Sequence, residues 1–201
     1  MHQLLRGESR QGPVLDLGCS IGAWAWFFAE EGYPRPIGID LSERHLRAAR
    51  IAGLGPLCAD GCTLPLASGT VETILCVDML VHVLAVERQE RVLAEIARVL
   101  RPGGVAVFSV PSVVGYRKGH QRLVMADSVY MTLRDAEHLL HRAPLCLEAV
   151  QAIQWVESVW PLWRWVPPVL RYRLGMPLLD RLGQRWALSN ARLLFLKGRK
   201  A

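Results

Sequence analysis

Short apolar runs alternate along the chain with amphipathic stretches, and glycine- and proline-rich turns separate them. Residues 14–18 are the first apolar run and predict a buried strand. Residues 23–31 have helix-forming composition and stop at a turn on Gly32, before a second predicted strand over 36–40. Ser42 is a good N-cap for the next helix, with His45, Leu46, Ala49 and Arg50 following, which ends before Gly53 and Gly55. Strands over 57–59 and 71–77 come next, the second nearly continuous in apolar residues, as a central parallel strand is. Val92, Leu93, Ile96, Val99 and Leu100 recur at helical spacing within 87–100, and Pro102-Gly103-Gly104 ends that helix. A strand over 105–110, a polar segment over 111–127, a helix capped by Thr132 and reaching His141, and strands over 145–153 and 191–196 complete the pattern. There is no internal repeat. Strands alternating with helices through right-handed crossovers predict an α/β fold: a doubly wound, mostly parallel sheet of seven strands, with helices on both faces.

In such sheets a ligand binds beyond the carboxyl ends of the strands, where the strand order reverses. Asp16, Asp40, Asp60 and Asp78 all fall in or just after predicted strands and so deliver acids to that edge. Gly18 and Gly22 follow the first strand as a tight turn, and Asp40 ends the second strand, 22 residues beyond Gly18. Strand, glycine turn, helix, strand and terminal acid describe a nucleoside-binding half-sheet, with the acid accepting from ribose hydroxyls. A dinucleotide site would read G-x-G-x-x-G, and Ser20 and Gly22 break that pattern.

The run Leu15-Asp16-Leu17-Gly18-Cys19-Ser20-Ile21-Gly22 resembles motif I of the class I S-adenosylmethionine-dependent methyltransferases. Three further runs extend the likeness in order: Cys58-Ala59-Asp60-Gly61 with Leu64-Pro65, Val77 to Val83, and Glu95-Ile96-Ala97-Arg98-Val99-Leu100-Arg101-Pro102-Gly103-Gly104. The resemblance covers residues 13–110 and implies a Rossmann-like fold with S-adenosyl-L-methionine as cofactor. By the same likeness, Gly18, Cys19, Ser20 and Gly22 would cradle the cofactor's amino-acid end, with Asp16 supporting the turn. Asp40 and Leu41 would hold the ribose side, Asp60 and Gly61 the adenine, and Asp78 and His82 would stand where acceptor meets methyl. Local alternatives stay open: Asp16 pinning the turn, Asp60 serving an Asp-Gly turn, and His82 as a hydrogen-bonded structural histidine. His82 is nonetheless the histidine with a case for proton removal or orientation, because an unperturbed imidazole titrates near neutrality. Tyr116, His120 and Tyr130 follow the fifth strand and are candidates to line an acceptor pocket.

With 201 residues, 51% of them apolar, the chain can bury one substantial core, so residues 1–201 are read as a single domain. No apolar run is long enough for a transmembrane helix, and the first twelve residues carry no signal-peptide core, so the cytoplasm is the default. The five cysteines, most of them in or beside predicted strands, read as buried apolar groups, and Cys58 with Cys62 lacks a second ligand pair, so no metal is expected. The formal charge of +6 is uneven: residues 1–154 sum to −1, while residues 155–201 sum to +7 and hold five of the seven tryptophans. Residues 155–189 read as an insertion between the last two strands, expected to form a flap at the cofactor end, with extra core folded over the sheet end as the alternative. A Trp/Arg-rich surface also suits peripheral contact with a membrane or, less readily, RNA. The expected activity is methyl transfer to a small, apolar or lipophilic acceptor. The alternatives are an RNA methyltransferase and a non-catalytic S-adenosylmethionine-binding protein. Oligomeric state and acceptor atom leave no mark in the sequence.

Overall fold

The computed structural model describes residues 1–112, 128–153 and 193–201. Tyr116, His120 and the expected flap at 155–189 lie outside the described residues. The elements run β1 (Val14–Leu17), α1 (Ala25–Glu30), β2 (Ile37–Asp40), α2 (Glu43–Ile51), β3 (Gly55–Cys58) and β4 (Val71–Cys76). A single 3-10 turn (Leu80–His82), α3 (Val86–Val99), β5 (Leu100–Pro111), α4 (Leu133–Arg142), β6 (Leu145–Ile153) and β7 (Leu193–Lys200) follow. The seven strands form one sheet in the order β3-β2-β1-β4-β5-β7-β6. β1 to β5 are parallel, and β7 is antiparallel to both β5 and β6. The order reverses between β1 and β4, which puts a switch point at the carboxyl end of β1.

Period-two alternation divides the interior into two layers. Leu15 and Leu17 of β1, Ile74 and Cys76 of β4 and Phe108 of β5 face α3 and α4, meeting Val92, Ile96, Ala136 and Leu140. Val14, Leu75, Val105 and Val107 face the other way, onto Phe27 and Phe28 of α1 and Leu46 and Ala49 of α2. Leu4 and Leu5 of the first turn pack into that second layer. Both helical N-caps anticipated from sequence are formed. Ser42 Oγ accepts from His45 N–H at 3.3 Å, and Thr132 with Asp135 makes a reciprocal capping box at the start of α4.

Two strands run further than their apolar letters indicate. β5 begins at Leu100, so Pro102-Gly103-Gly104 lies in extended chain, with Gly103 at φ 76° and a register shift against β4 between Val71 and Thr73. β7 continues to Lys200 because its charged residues are neutralised by distant partners. Lys197 and Arg199 both pair with Glu8 and Glu148. β3 is correspondingly displaced, spanning Gly55–Cys58 at the sheet edge.

Candidate functional site

A cavity of about 550 Å³ opens at the carboxyl ends of β1, β2 and β4. Its floor is the turn after β1, which the second strand ties down. Gly18 and Cys19 N–H groups both donate to Ile39 O, at 2.7 and 3.0 Å. Asp40 completes the tie: Ser20 N–H donates to its Oδ2 at 2.9 Å and Ser42 N–H to its Oδ1 at 2.8 Å. This clamp holds Ser20 in the left-handed region, φ 47°, where a non-glycine side chain is strained.

The two glycines of the turn serve different neighbours. At Gly18, φ 78°, an added Cβ would stand 2.6 Å from the Met79 side chain, so glycine lets the cavity wall close on the turn. At Gly22, φ 86°, an added Cβ would meet Ala52 Cβ at 2.9 Å and Ala49 Cα at 3.1 Å. Gly22 therefore seats the start of α1 against α2, and it does not line the cavity. Cys19 and Ser20 do line it, with Cys19 buried beneath Gly38.

Among the four acids, Asp40 and Asp78 line the cavity. Asp78 has φ 55° and is held by buried Ser109 on β5: its N–H donates to Ser109 Oγ at 2.7 Å, and that hydroxyl donates to Asp78 Oδ1 at 2.8 Å. Asp16 lies beneath the turn, 1% exposed, and its Oδ2 is buried with no hydrogen-bond partner. Burial, reinforced by the negative charge of Asp40, pushes its carboxyl up to about 7. Asp60 is turned aside. Its Oδ1 accepts from Cys62 N–H at 2.9 Å and its Oδ2 from Arg88 at 2.8 Å, which hold the carboxyl below its usual range. Its neighbours Ala59 and Gly61 line the cavity and Asp60 does not.

His82 is exposed and lines the cavity at the end of the 3-10 turn, with its N–H bonded to Met79 O at 3.0 Å. Leu41 lines the mouth and is 68% exposed, a large apolar side chain left to solvent. The structure adds lining residues that the motifs did not single out: Trp24, Ser42, His45 and Met79. His45 Nδ1 stands 4.0 Å from Asp40 Oδ1. Ser42 and His45 were visible only as the capped start of a helix. Ser109 had a fainter signal, a lone hydroxyl inside an apolar strand.

An open α/β sheet with a glycine turn, a clamped acid and a cavity at its switch point is a nucleoside-cofactor-binding domain. A methyltransferase-domain family model matches residues 14–104. An uncharacterized methyltransferase of Mycobacterium ulcerans is 38% identical over 122 residues, which are 58% of this chain and 46% of that protein. The chain spans under half the length of such relatives, 46%, 45% and 42% in three of them. An S-adenosylmethionine-dependent methyltransferase from Mesorhizobium loti superposes with TM-score 0.68 at 19% identity, covering 98% of this chain and 96% of that one. The methyltransferase crystallised with the Trm112 activator of Haloferax volcanii gives 0.72 at 19%, covering 98% and 87%. Over residues 14–104 the chain is similar to the methyltransferase-domain family, and its sheet has the Rossmann-like fold of the S-adenosylmethionine-dependent methyltransferases on which it superposes.

The residues present fit the cofactor this family uses. Each Asp40 oxygen takes one backbone N–H and keeps lone-pair capacity for a ribose hydroxyl. Ile39, Leu41 and Met79 supply apolar walls for a purine. The unpartnered Asp16 oxygen below the turn requires either a proton or a nearby cation. No helix among the described residues is long and apolar enough to cross a membrane.

Proposed function

We propose that the protein transfers a methyl group from S-adenosylmethionine to a small, apolar acceptor. The observation that carries this is the cavity itself: an acid clamped at the end of β2 and a glycine turn on one side, Asp78 and His82 on the other. The cofactor supplies a methyl already made electrophilic by its sulfonium, so the chain's task is alignment and exclusion of water. Asp40 holds the turn and accepts from the ribose. The Ser109 clamp fixes the strained backbone of Asp78 and with it the direction of the chain leading to His82. His82, exposed on the cavity wall, orients the acceptor or takes its proton where the acceptor arrives protonated.

Two features support an apolar acceptor. Leu41 lines the mouth while largely exposed, and Ile21 and Leu84, each within two residues of lining positions, are also exposed. Exposed apolar side chains at and next to cavity-lining positions suit an apolar partner. We assign residues 155–189 the role of cover, contributing tryptophan to the acceptor, so Trp160→Ala is expected to lower turnover with unchanged cofactor affinity. Screening apolar compounds and RNA with labelled methyl donor tests the whole reading. Label entering RNA and no apolar compound refutes the acceptor assignment, and failure to bind S-adenosylhomocysteine refutes the function.

A further inference from the structure

We infer that Asp16 is a proton-exchange site beneath the cofactor turn: it is protonated in the free protein and gives up that proton when the cofactor's ammonium binds above it. The inference rests on the cofactor reading and goes beyond it to how binding is driven and how pH governs it.

The argument starts from strand geometry. Asp16 follows Leu15 and precedes Leu17, which both face α3 and α4, so its side chain points into the opposite layer, beneath Cys19 and toward α1. There it is 1% exposed, and Oδ2 has no donor. A buried carboxylate without a hydrogen bond or counter-ion is among the least stable arrangements a core can hold. Burial and the neighbouring Asp40 both worsen the position of a negative charge there. Asp40 of β2 is itself an anion, clamped by two backbone N–H groups that keep it in place. The thiols of Cys19 in the turn and Cys76 in β4 are both pushed up to about 12 by burial, with Asp16 adding to it, so they stay neutral. Asp78, beyond Cys76, is a third carboxyl on this edge. The cationisable side chain at this edge, His45, is exposed and faces Asp40 at 4.0 Å. A proton therefore satisfies Asp16 in the free protein. Burial and Asp40 together place that proton's affinity near neutrality, at about 7, which makes it exchangeable under ordinary conditions.

A cationic amino-acid end held by the turn reverses the balance. It favours the carboxylate, and the displaced proton leaves to buffer. Linkage then fixes the sign: below about pH 7 binding must expel a proton and weakens as pH falls, while above it Asp16 is already ionised and affinity is flat.

Calorimetry with S-adenosylhomocysteine in two buffers of different ionisation enthalpy reads the exchange directly. The expected result is release approaching one proton at about pH 6, vanishing by about pH 8.5, with Kd rising about tenfold per pH unit on the acid side. Asp16→Asn should bind with no such dependence. Should that variant not fold, 5′-methylthioadenosine serves on the unaltered protein. It has the purine and ribose without the amino-acid end, and should bind without proton release. Equal release with that compound, or an unchanged pH slope in Asp16→Asn, overturns the inference. Binding of S-adenosylhomocysteine without proton release overturns it alone, whereas no binding at any pH overturns the cofactor reading as well.

Discussion

Replacing Asp40 with Ala removes two charge-assisted hydrogen bonds at once, from Ser20 N–H at 2.9 Å and Ser42 N–H at 2.8 Å. Hydrogen bonds to charged groups contribute about 1.5–3 kcal/mol each, and both amides are partly exposed, so water recovers a share of the loss. Removing the neighbouring anion also relieves Asp16, which offsets part of the remainder near neutral pH. The expected net loss is about 2–3 kcal/mol, or roughly 5–10 °C in Tm for a chain of this length. Cofactor affinity should fall much further than stability implies, by about one to three decades. The proposed ribose contact would be lost, and so would the clamp on Ser20 at φ 47°. Asp40→Asn keeps one acceptor oxygen and presents an amide to the other N–H, so it should fall between the two. Urea unfolding and calorimetry with S-adenosylhomocysteine give both quantities on the same protein. An Ala variant with Kd within twofold of the unaltered protein would refute the placement of the ribose. An Asn variant as impaired as Ala would refute the two-sided clamp.

Gly22→Ala should cost about 2–4 kcal/mol in urea unfolding, combining left-handed strain with overpacking against Ala49 and Ala52, although no part of Gly22 lines the cavity. A loss under about 0.5 kcal/mol would show that α1 and α2 can separate freely there. Ser109→Ala strips both hydrogen bonds from the strained Asp78 and should weaken cofactor binding several-fold, with about 1–3 kcal/mol lost in stability. Unchanged binding would remove Asp78 from the site. For the ligand-free protein, the Asp16 carboxyl is raised from 3.8 to about 7, so its contribution to stability is fully present below about pH 3.8 and is lost as pH rises through about 7. Asp16→Asn should therefore gain on the unaltered protein by about 2–3 kcal/mol between about pH 5 and pH 7; a constant difference would mean Asp16 is ionised throughout.

The order of elements and the position of the cavity were legible because they depend on local pattern. The continuous apolar run of β4, the Ser42 and Thr132 caps and the glycine turn each act within a few residues. What escaped depends on partners far along the chain. Arg88 pairs with the Asp60 carboxylate from 28 residues away, and the acid that resembles an adenine ligand is not in the cavity lining although Ala59 and Gly61 are. β7 read as ending at residue 196 because Lys197 and Arg199 look like solvated tail. Their acids, Glu8 and Glu148, come from the opposite end of the chain and from the neighbouring strand. Pro102-Gly103-Gly104 was legible as a helix stop but not as the start of β5, because its pairing across the register shift is a property of the sheet. Gly22 was placed in the motif correctly, but whether a glycine approaches a ligand or another helix is decided only when α2 arrives.

The two edges of the sheet treat charge in opposite ways, and this contrast says what the cavity is for. At the far end of β5 and β7, acids meet arginine or lysine: Glu72 pairs with Arg101, and Glu8 and Glu148 with Lys197 and Arg199. At the carboxyl edge Asp60 also meets an arginine, Arg88, but Asp16, Asp40 and Asp78, around the switch point, gather without a lysine or arginine partner among the described residues. Among the described residues, two of the three non-glycine residues with positive φ, Ser20 and Asp78, line the cavity, each held by a neighbour's oxygen. Strain and uncompensated negative charge both cost stability, and a fold free of other demands would relieve them with one well-placed arginine. An arginine there would occupy the position of a cationic ligand and compete with it. Under the proposed function, leaving the acids open lets a positively charged cofactor supply the missing counter-charge, so part of the stability given up in the free protein would return as binding energy.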